Sequence, residues 1–242
     1  MIDELKLLRG ENIEITDRIF IRNSLLGEIA DFGERSYYSM VSMLCSTPTD
    51  YMVFLKDKFN IDWDKIGEYE WFVIMYKSLS ADGAKMLFGF DITELEKVLD
   101  KTNNKICLIN NSGQVVINEE IYFLIVDYVR KMHGFKKNCR KAGNDYTRKT
   151  IIKQERKKLE RLPRSSQQYS VLAPLISALV NSSGFKYDYN TIWNLNIFAF
   201  TDALKRVQKI NNYNQIMNGI YSGTIDVDKM DKNNLDWLGT ID

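Results

Sequence analysis

The sequence predicts an α+β protein, mainly α-helical. A small N-terminal β-hairpin or meander and a central β-hairpin pack on a helical bundle. Three observations lead there. Only Pro48, Pro163 and Pro174 interrupt 242 residues, and a proline-poor chain rich in Leu, Ile, Lys and Glu favours helices. Several segments repeat apolar residues at helical spacing. Two short stretches instead place alternating residues around turn formers.

The first of those stretches covers residues 4–22. "LKLL" and "IEIT" flank Gly10 and Asn12, and "RIFIR" alternates with period two, so all three read as short strands. A helix capped by Ser24 is expected through Phe32, with Gly33 separating it from "ERSYYSMVSMLC". Thr47-Pro48-Thr49-Asp50 is a restart, with Thr or Asp as the cap of a helix holding Met52, Phe54, Leu55 and Phe59. "EYEWFVIMYKSLS" is apolar on most sides and reads as a buried helix.

"KMLFGF" and "KICLI" read as strands, and Asn110-Asn111-Ser112-Gly113 is a tight turn before "QVVI". The clearest helix follows. Asn118 caps it, Glu119 and Glu120 fill its first turn, Ile121, Leu124, Ile125, Tyr128, Val129 and Met132 keep helical spacing, and Gly134 ends it. A basic linker with Gly143 leads to a helix from Asp145 to Leu162, which Pro163 stops. Another helix is expected from Ser166 to Ser182, with a kink or break at Pro174. A last long helix begins near Asp188, its face marked by Trp193, Ile197, Phe200, Leu204 and Val207. A polar joint, "KINNYN", then precedes a short helix, "QIMNGIYSG". The best place to divide the chain is residues 134–145. That gives an N-terminal α+β region, 1–133, and a basic linker with a helical C-terminal region, 134–242, unless the two form one domain.

Charge is distributed unevenly. The net formal charge is +1, yet residues 130–164 hold fourteen Lys/Arg against three Asp/Glu, which leaves the remainder with a balance of −10. An acidic body therefore carries one basic segment, a pattern suited to an acidic partner, nucleic acid included. Cys45, Cys107 and Cys139 are odd in number and widely spaced, unlike a disulfide framework. They fit a reducing compartment. The start, Met1-Ile2-Asp3-Glu4, has no apolar signal core. No apolar run reaches the roughly 20 residues of a membrane span, so no membrane contact is expected.

Catalytic signals are sparse. His133, the one histidine, sits in the last turn of a helix, where a surface or capping cation is favoured. No phosphate-binding glycine motif and no nucleophile motif occurs. Asp226, Asp228 and Asp231 could hold Mg²⁺ in a nuclease, although Asp-rich loops arise from turn chemistry alone. No cofactor, catalytic residue or metal ligand is assigned. The candidate partner-binding residues are Lys149, Lys153, Arg156, Lys157, Lys158 and Arg161 on the basic helix. Trp237 joins them, because a Trp-Leu pair on a tail can dock in a neighbour's groove. The aromatics Tyr37, Tyr38, Trp71, Phe72, Trp193, Phe198 and Phe200 read as core.

Two stretches carry a resemblance. "IWNLNIFAFTDALKRVQKINNYNQIMNGIYSGTIDVDKMDKNNLDW", from Ile192 to Trp237, runs from an apolar-aromatic helix to a closing Leu-Asp-Trp. "LLGEIADFGERSYYSMVSMLCSTPTDY", from Leu25 to Tyr51, holds a Gly-Glu-Ile helix and a Tyr-Tyr helix. Together they resemble tail-region morphogenesis proteins of bacteriophages of low-GC Gram-positive hosts, such as tail assembly chaperones or minor tail proteins. The resemblance implies a non-enzymatic protein working through protein–protein contacts. Its expected partners are phage tail proteins, tape measure or tube, or a second copy of the chain. The expected location is the host cytoplasm or the virion tail. The alternative is a nucleic-acid-binding phage protein using residues 136–164.

Overall fold

The computed structural model describes residues 3–101, 104–161, 169–226 and 230–240. The fold is α+β and mainly helical, with one two-stranded and one three-stranded antiparallel sheet.

The N-terminus departs from the expected meander. "LKLL" lies in a helix, α1 (Glu4–Leu8), whose first turn is capped by the Asp3 carboxylate accepting from the Lys6 amide at 3.2 Å. Four apolar-rich residues are too few for periodicity to separate helix from strand, and the cap decides. The expected hairpin survives as β1 (Ile13–Thr16) and β2 (Ile19–Ile21), with Ile13 opposite Ile21. α2 (Leu26–Phe32) is capped at Leu25, one residue after the expected Ser24. There the Glu28 carboxylate accepts from the Leu25 amide at 2.9 Å. α3 (Glu34–Leu44) follows Gly33.

The Thr47–Asp50 restart works in reverse of the expected cap. Asp50 accepts from both the amide and the hydroxyl of Thr47, at 2.8 and 2.9 Å. The one-turn α4 (Met52–Phe54) then widens into a π-helical turn, Leu55–Phe59. α5 (Glu68–Met75) is buried on nearly every side, as its composition predicts.

"KMLFGF" is also helical. It ends α6 (Ala81–Phe88), which Ser80 caps by accepting from the Gly83 amide at 3.1 Å. A Cβ on Gly83 would stand 2.9 Å from Met40 Cγ, so this glycine lets α6 lie close against α3. The central sheet has three strands: β3 (Glu96–Asp100), β4 (Lys105–Ile109) and β5 (Val115–Ile117), in that order. β4 and β5 form the expected hairpin. β3 was not anticipated because "EKVLD" is nearly all exposed and lacks alternation.

α7 (Glu119–His133) runs as predicted, with the Asn118 side chain accepting from the Ile121 amide at 2.9 Å and Gly134 left-handed at φ 66°. It packs on α5, on the last helix and on strands of both sheets. α8 (Asp145–Arg161) is the basic helix. Leu162, Pro163, Arg164 and Ser166 lie outside the described residues. α9 (Leu172–Val180) starts later than expected, and Pro174 stands in its first turn, where no amide is needed, so no break occurs.

α10 (Ile197–Tyr221) corrects the C-terminal reading twice. It begins after the expected start near Asp188, leaving Trp193 on a short 3₁₀ turn, 38% exposed. It also runs unbroken through "KINNYN". Asparagine lowers helix propensity by only a few tenths of a kcal/mol, too little to break a helix that is already nucleated.

One cluster of buried apolar side chains extends from Leu7 to Phe200. Trp63, Trp71, Tyr37, Tyr76, Tyr122 and Phe72 are its largest members. Glu34, at the start of α3, joins it to α9. Its carboxylate accepts from the Ser170 hydroxyl at 2.6 Å and from the Val171 and Leu172 amides, the latter at 2.8 Å. One anion therefore sits at two helix N-termini, where both dipoles favour it. Replacing Glu34 with Ala should cost about 1 kcal/mol, as loss of a helix cap does. It should also speed amide exchange in the first turn of α9 before that of α7.

Candidate functional site

The basic segment starts as an extended strap. Residues 135–144 have no regular structure and lie along the turn before α4 and the 3₁₀ turn Trp63–Lys65. The Asn138 carbonyl accepts from the Thr47 hydroxyl and the Arg140 carbonyl from the Trp63 indole, each at 2.9 Å. Asn138 Nδ2 donates to Asp50 at 2.8 Å. Lys137 reaches the buried carboxylate of Glu68 as an ion pair without hydrogen-bond geometry. The other oxygen of Glu68 pairs with Arg130, whose Nη2 also donates to the Cys45 carbonyl at 2.7 Å.

α8 is then clamped along one face. The Asn144 side chain accepts from the Thr147 amide at 2.8 Å and caps the helix. Ile151 and Ile152 are buried. Arg148 forks onto Asp64, with Nε and Nη2 at 3.0 and 2.9 Å from its two oxygens. These hydrogen bonds hold the Asp64 carboxyl below the usual carboxylate range. Arg156 pairs with Asp57 on the π-helical turn, and Lys158 with Glu155 one turn back. Both are exposed pairs worth little stability.

The six helix residues singled out in the sequence therefore separate. Arg156 and Lys158 already have carboxylate partners. Lys149, Lys153, Lys157 and Arg161 are exposed and make no ion pair among the described residues. They recur every fourth residue, so they form one row, opposite the clamped face. Tyr146, 81% exposed, stands on the same side near its start. Arg164 lies outside the described residues.

Trp237 is not in this site. It folds back on α10: its carbonyl accepts from Arg206 at 2.6 Å, and its ring lies 6.3 Å from that of Tyr213. Asp226 and Asp231 are exposed, and Asp228 lies outside the described residues. Among the described residues no three His, Cys, Asp or Glu side chains are grouped to hold a metal ion. No described helix is long and apolar enough to cross a membrane.

His133 corrects the surface reading. It is buried, with Nδ1 2.7 Å from the Val129 carbonyl and Nε2 2.8 Å from the Tyr37 hydroxyl. A carbonyl only accepts, so Nδ1 carries the proton and Nε2 accepts from Tyr37. Burial pushes its pKa down to about 4. The signal was legible: Tyr122, Val126, Val129 and His133 keep a three- and four-residue spacing on the buried face of α7.

A family model described as the YomV second domain matches residues 165–242, about a third of the chain. Neither the curated proteins nor the solved structures contain a match to this chain.

Proposed function

We propose that this is a phage protein that works without catalysis, in tail assembly or as a tail component, by docking other proteins on the outward row of α8. The single observation that carries the docking reading is the division of labour on that helix. Arg148 and two isoleucines fix its inner face, while Lys149, Lys153, Lys157 and Arg161 stand outside and make no ion pair among the described residues. A rigidly presented row of one charge steers and orients an oppositely charged partner. The phage context is supported by the match of residues 165–242 to the YomV second domain, a phage-derived family. The tail role is supported by the resemblance carried by Leu25–Tyr51 and Ile192–Trp237.

A second reading is nucleic-acid binding, which the exposed Tyr146 beside the cationic row favours. The test is recovery of the tagged chain from an infected host, with and without nuclease. Tail components should remain after nuclease, and the combined Lys149→Glu, Lys153→Glu and Lys157→Glu variant should lose at least about 90% of them, since clustered charge reversal acts on every contact at once. Partners released by nuclease would overturn the protein-contact reading.

A further inference from the structure

We infer that the outer edge of β3 receives an extended segment of another protein as an added antiparallel strand. That segment carries a cationic residue opposite Glu96, an acidic one opposite Lys97 and apolar ones opposite Val98 and Leu99. This second docking surface is independent of the cationic row on α8.

β3 is the edge of its sheet, and among the described residues it pairs with β4 alone. Three contacts show which of its backbone groups turn outward. The carbonyls of Ile106 and Ile117 both accept from the Tyr69 hydroxyl, at 2.8 and 3.4 Å, so Ile106 on β4 faces β5 and not β3. The Asp100 carbonyl accepts from the Asn104 amide at 2.8 Å, within the turn toward β4. The Leu95 carbonyl, directed the other way, accepts from the Tyr76 hydroxyl at 2.6 Å. Hydrogen-bonded and non-hydrogen-bonded pairs alternate along an antiparallel ladder. Val98 therefore exchanges its bonds with Cys107, and Lys97 and Leu99 turn their amides and carbonyls away from β4. No backbone partner meets them among the described residues.

The side chains at this edge are open too. Val98 is 41% exposed on one face. On the other, Leu99 and Ile106 stand directly opposite each other, 52% and 40% exposed. Unmet backbone groups flanked by exposed apolar side chains are a template for strand addition.

The charges decide what is added. In a twofold pairing of β3 with its own copy, outward residues must stand opposite outward residues. Lys97 opposite Lys97 is itself a like-charge pair. Lys97 opposite Leu99 sets Glu96 against Asp100, and Leu99 opposite Leu99 sets Lys97 against Lys101. Every such register places like charges directly across, which destabilises the pair. A strand from another protein escapes this. Running antiparallel, the order Thr-Leu-Val-Glu-Lys places Leu on Leu99, Val on Val98, Glu on Lys97 and Lys on Glu96.

The test uses the full chain and labelled peptides in an anisotropy titration. The matched peptide holds Thr-Leu-Val-Glu-Lys between Ser-Gly flanks. The second exchanges its last two residues, Thr-Leu-Val-Lys-Glu, and keeps composition and net charge. The third is the matched peptide N-methylated at Leu and Glu, whose amides would meet Leu99 and Lys97. The matched peptide should bind about 10-fold tighter than the exchanged one, because two cross-strand charge pairs change sign. It should bind at least about 10-fold tighter than the N-methylated one, which lacks two donors. Glu96→Lys with Lys97→Glu should reverse the order of the first two peptides. Lys97→Pro should abolish binding while β3 stays paired to β4, since the amide it removes faces outward; circular dichroism checks its fold, and the charge exchange does not depend on it. Binding should slow amide exchange at Lys97 and Leu99 and leave Val98 unchanged. The combined Lys149→Glu, Lys153→Glu and Lys157→Glu variant should bind the matched peptide as the parent does, which separates this inference from the α8 reading. Equal binding of the matched and N-methylated peptides would overturn strand addition. Equal binding of the matched and exchanged peptides would overturn the charge pattern assigned to the partner. No binding at millimolar peptide would overturn the inference, and dimerisation lost in Lys97→Pro would give the edge to a second copy of this chain.

Discussion

Replacing Arg130 with Met should destabilise the protein by about 3–5 kcal/mol, the cost of leaving one member of a buried ion pair without its counter-charge. Arg130 and Glu68 are 7% and 6% exposed, on α7 and α5. Glu68 would retain only Lys137, itself half exposed, so some water must follow the carboxylate inward. Lys137→Met should cost less, because its ammonium is already hydrated. The double variant Glu68→Leu with Arg130→Met should recover much of the loss, since it removes both desolvated charges at once. Urea unfolding of Glu68→Leu, Arg130→Met and the double variant closes the cycle. A cost under about 1 kcal/mol for Arg130→Met would show that the pair does not hold α5 to α7. The functional consequence lies in Lys137. Glu68 ties the start of the strap to the core, and the strap carries the chain to α8. Disturbing Glu68 should therefore loosen the basic helix even though none of its own residues changes.

How much of this was legible depends on range along the chain. α7 was fully legible because its signals are local: Asn118, the paired glutamates, the apolar spacing and Gly134 all lie within one segment. The start of α8 at Asp145 was equally legible, while its expected stop at Pro163 lies outside the described residues. The roles of its cations were not legible. Asp64 and Asp57 stand 84 and 99 positions from Arg148 and Arg156, and composition cannot say which of the helix's seven basic residues will meet them. Glu34 is 138 positions from the Leu172 amide it caps, so α9 was extended backward through residues whose local pattern suggested helix. "LKLL" and "KMLFGF" failed for a different reason. Each is shorter than two helical turns, and their caps, Asp3 and Ser80, were the deciding signals. Phe54 and Phe59 were read as members of one helix, whereas the chain there widens into a π-helical turn at Leu55–Phe59, which no spacing rule announces.

Acidification should weaken the fold through His133, by on the order of 3 kcal/mol between neutral pH and about pH 4. The imidazole is buried and its pKa falls to about 4 from an ordinary 6.5, chiefly through desolvation; the Val129 carbonyl opposes this only in part. The folded state therefore binds this proton less readily than the unfolded chain. Between those two values the unfolded state holds more protons, so stability rises with pH. The contribution is complete above pH 6.5 and is lost progressively as pH falls toward 4. The rings of Tyr37, Tyr38 and Phe135 surround the imidazole, the Tyr37 hydroxyl donates to it, and none of the three supplies a counter-charge. His133→Gln should start from a lower stability at neutral pH, because the Gln amide cannot restore both hydrogen bonds at ring geometry. Its stability should fall less steeply between pH 6.5 and 4, since the titrating group is gone. Denaturant unfolding at several pH values compares the two slopes. Parallel slopes would mean that carboxylates elsewhere carry the acid sensitivity. A shallower slope in the variant would assign it to the Tyr37–His133 contact, which joins α3 to the C-terminal end of α7, where the strap toward the docking helix begins.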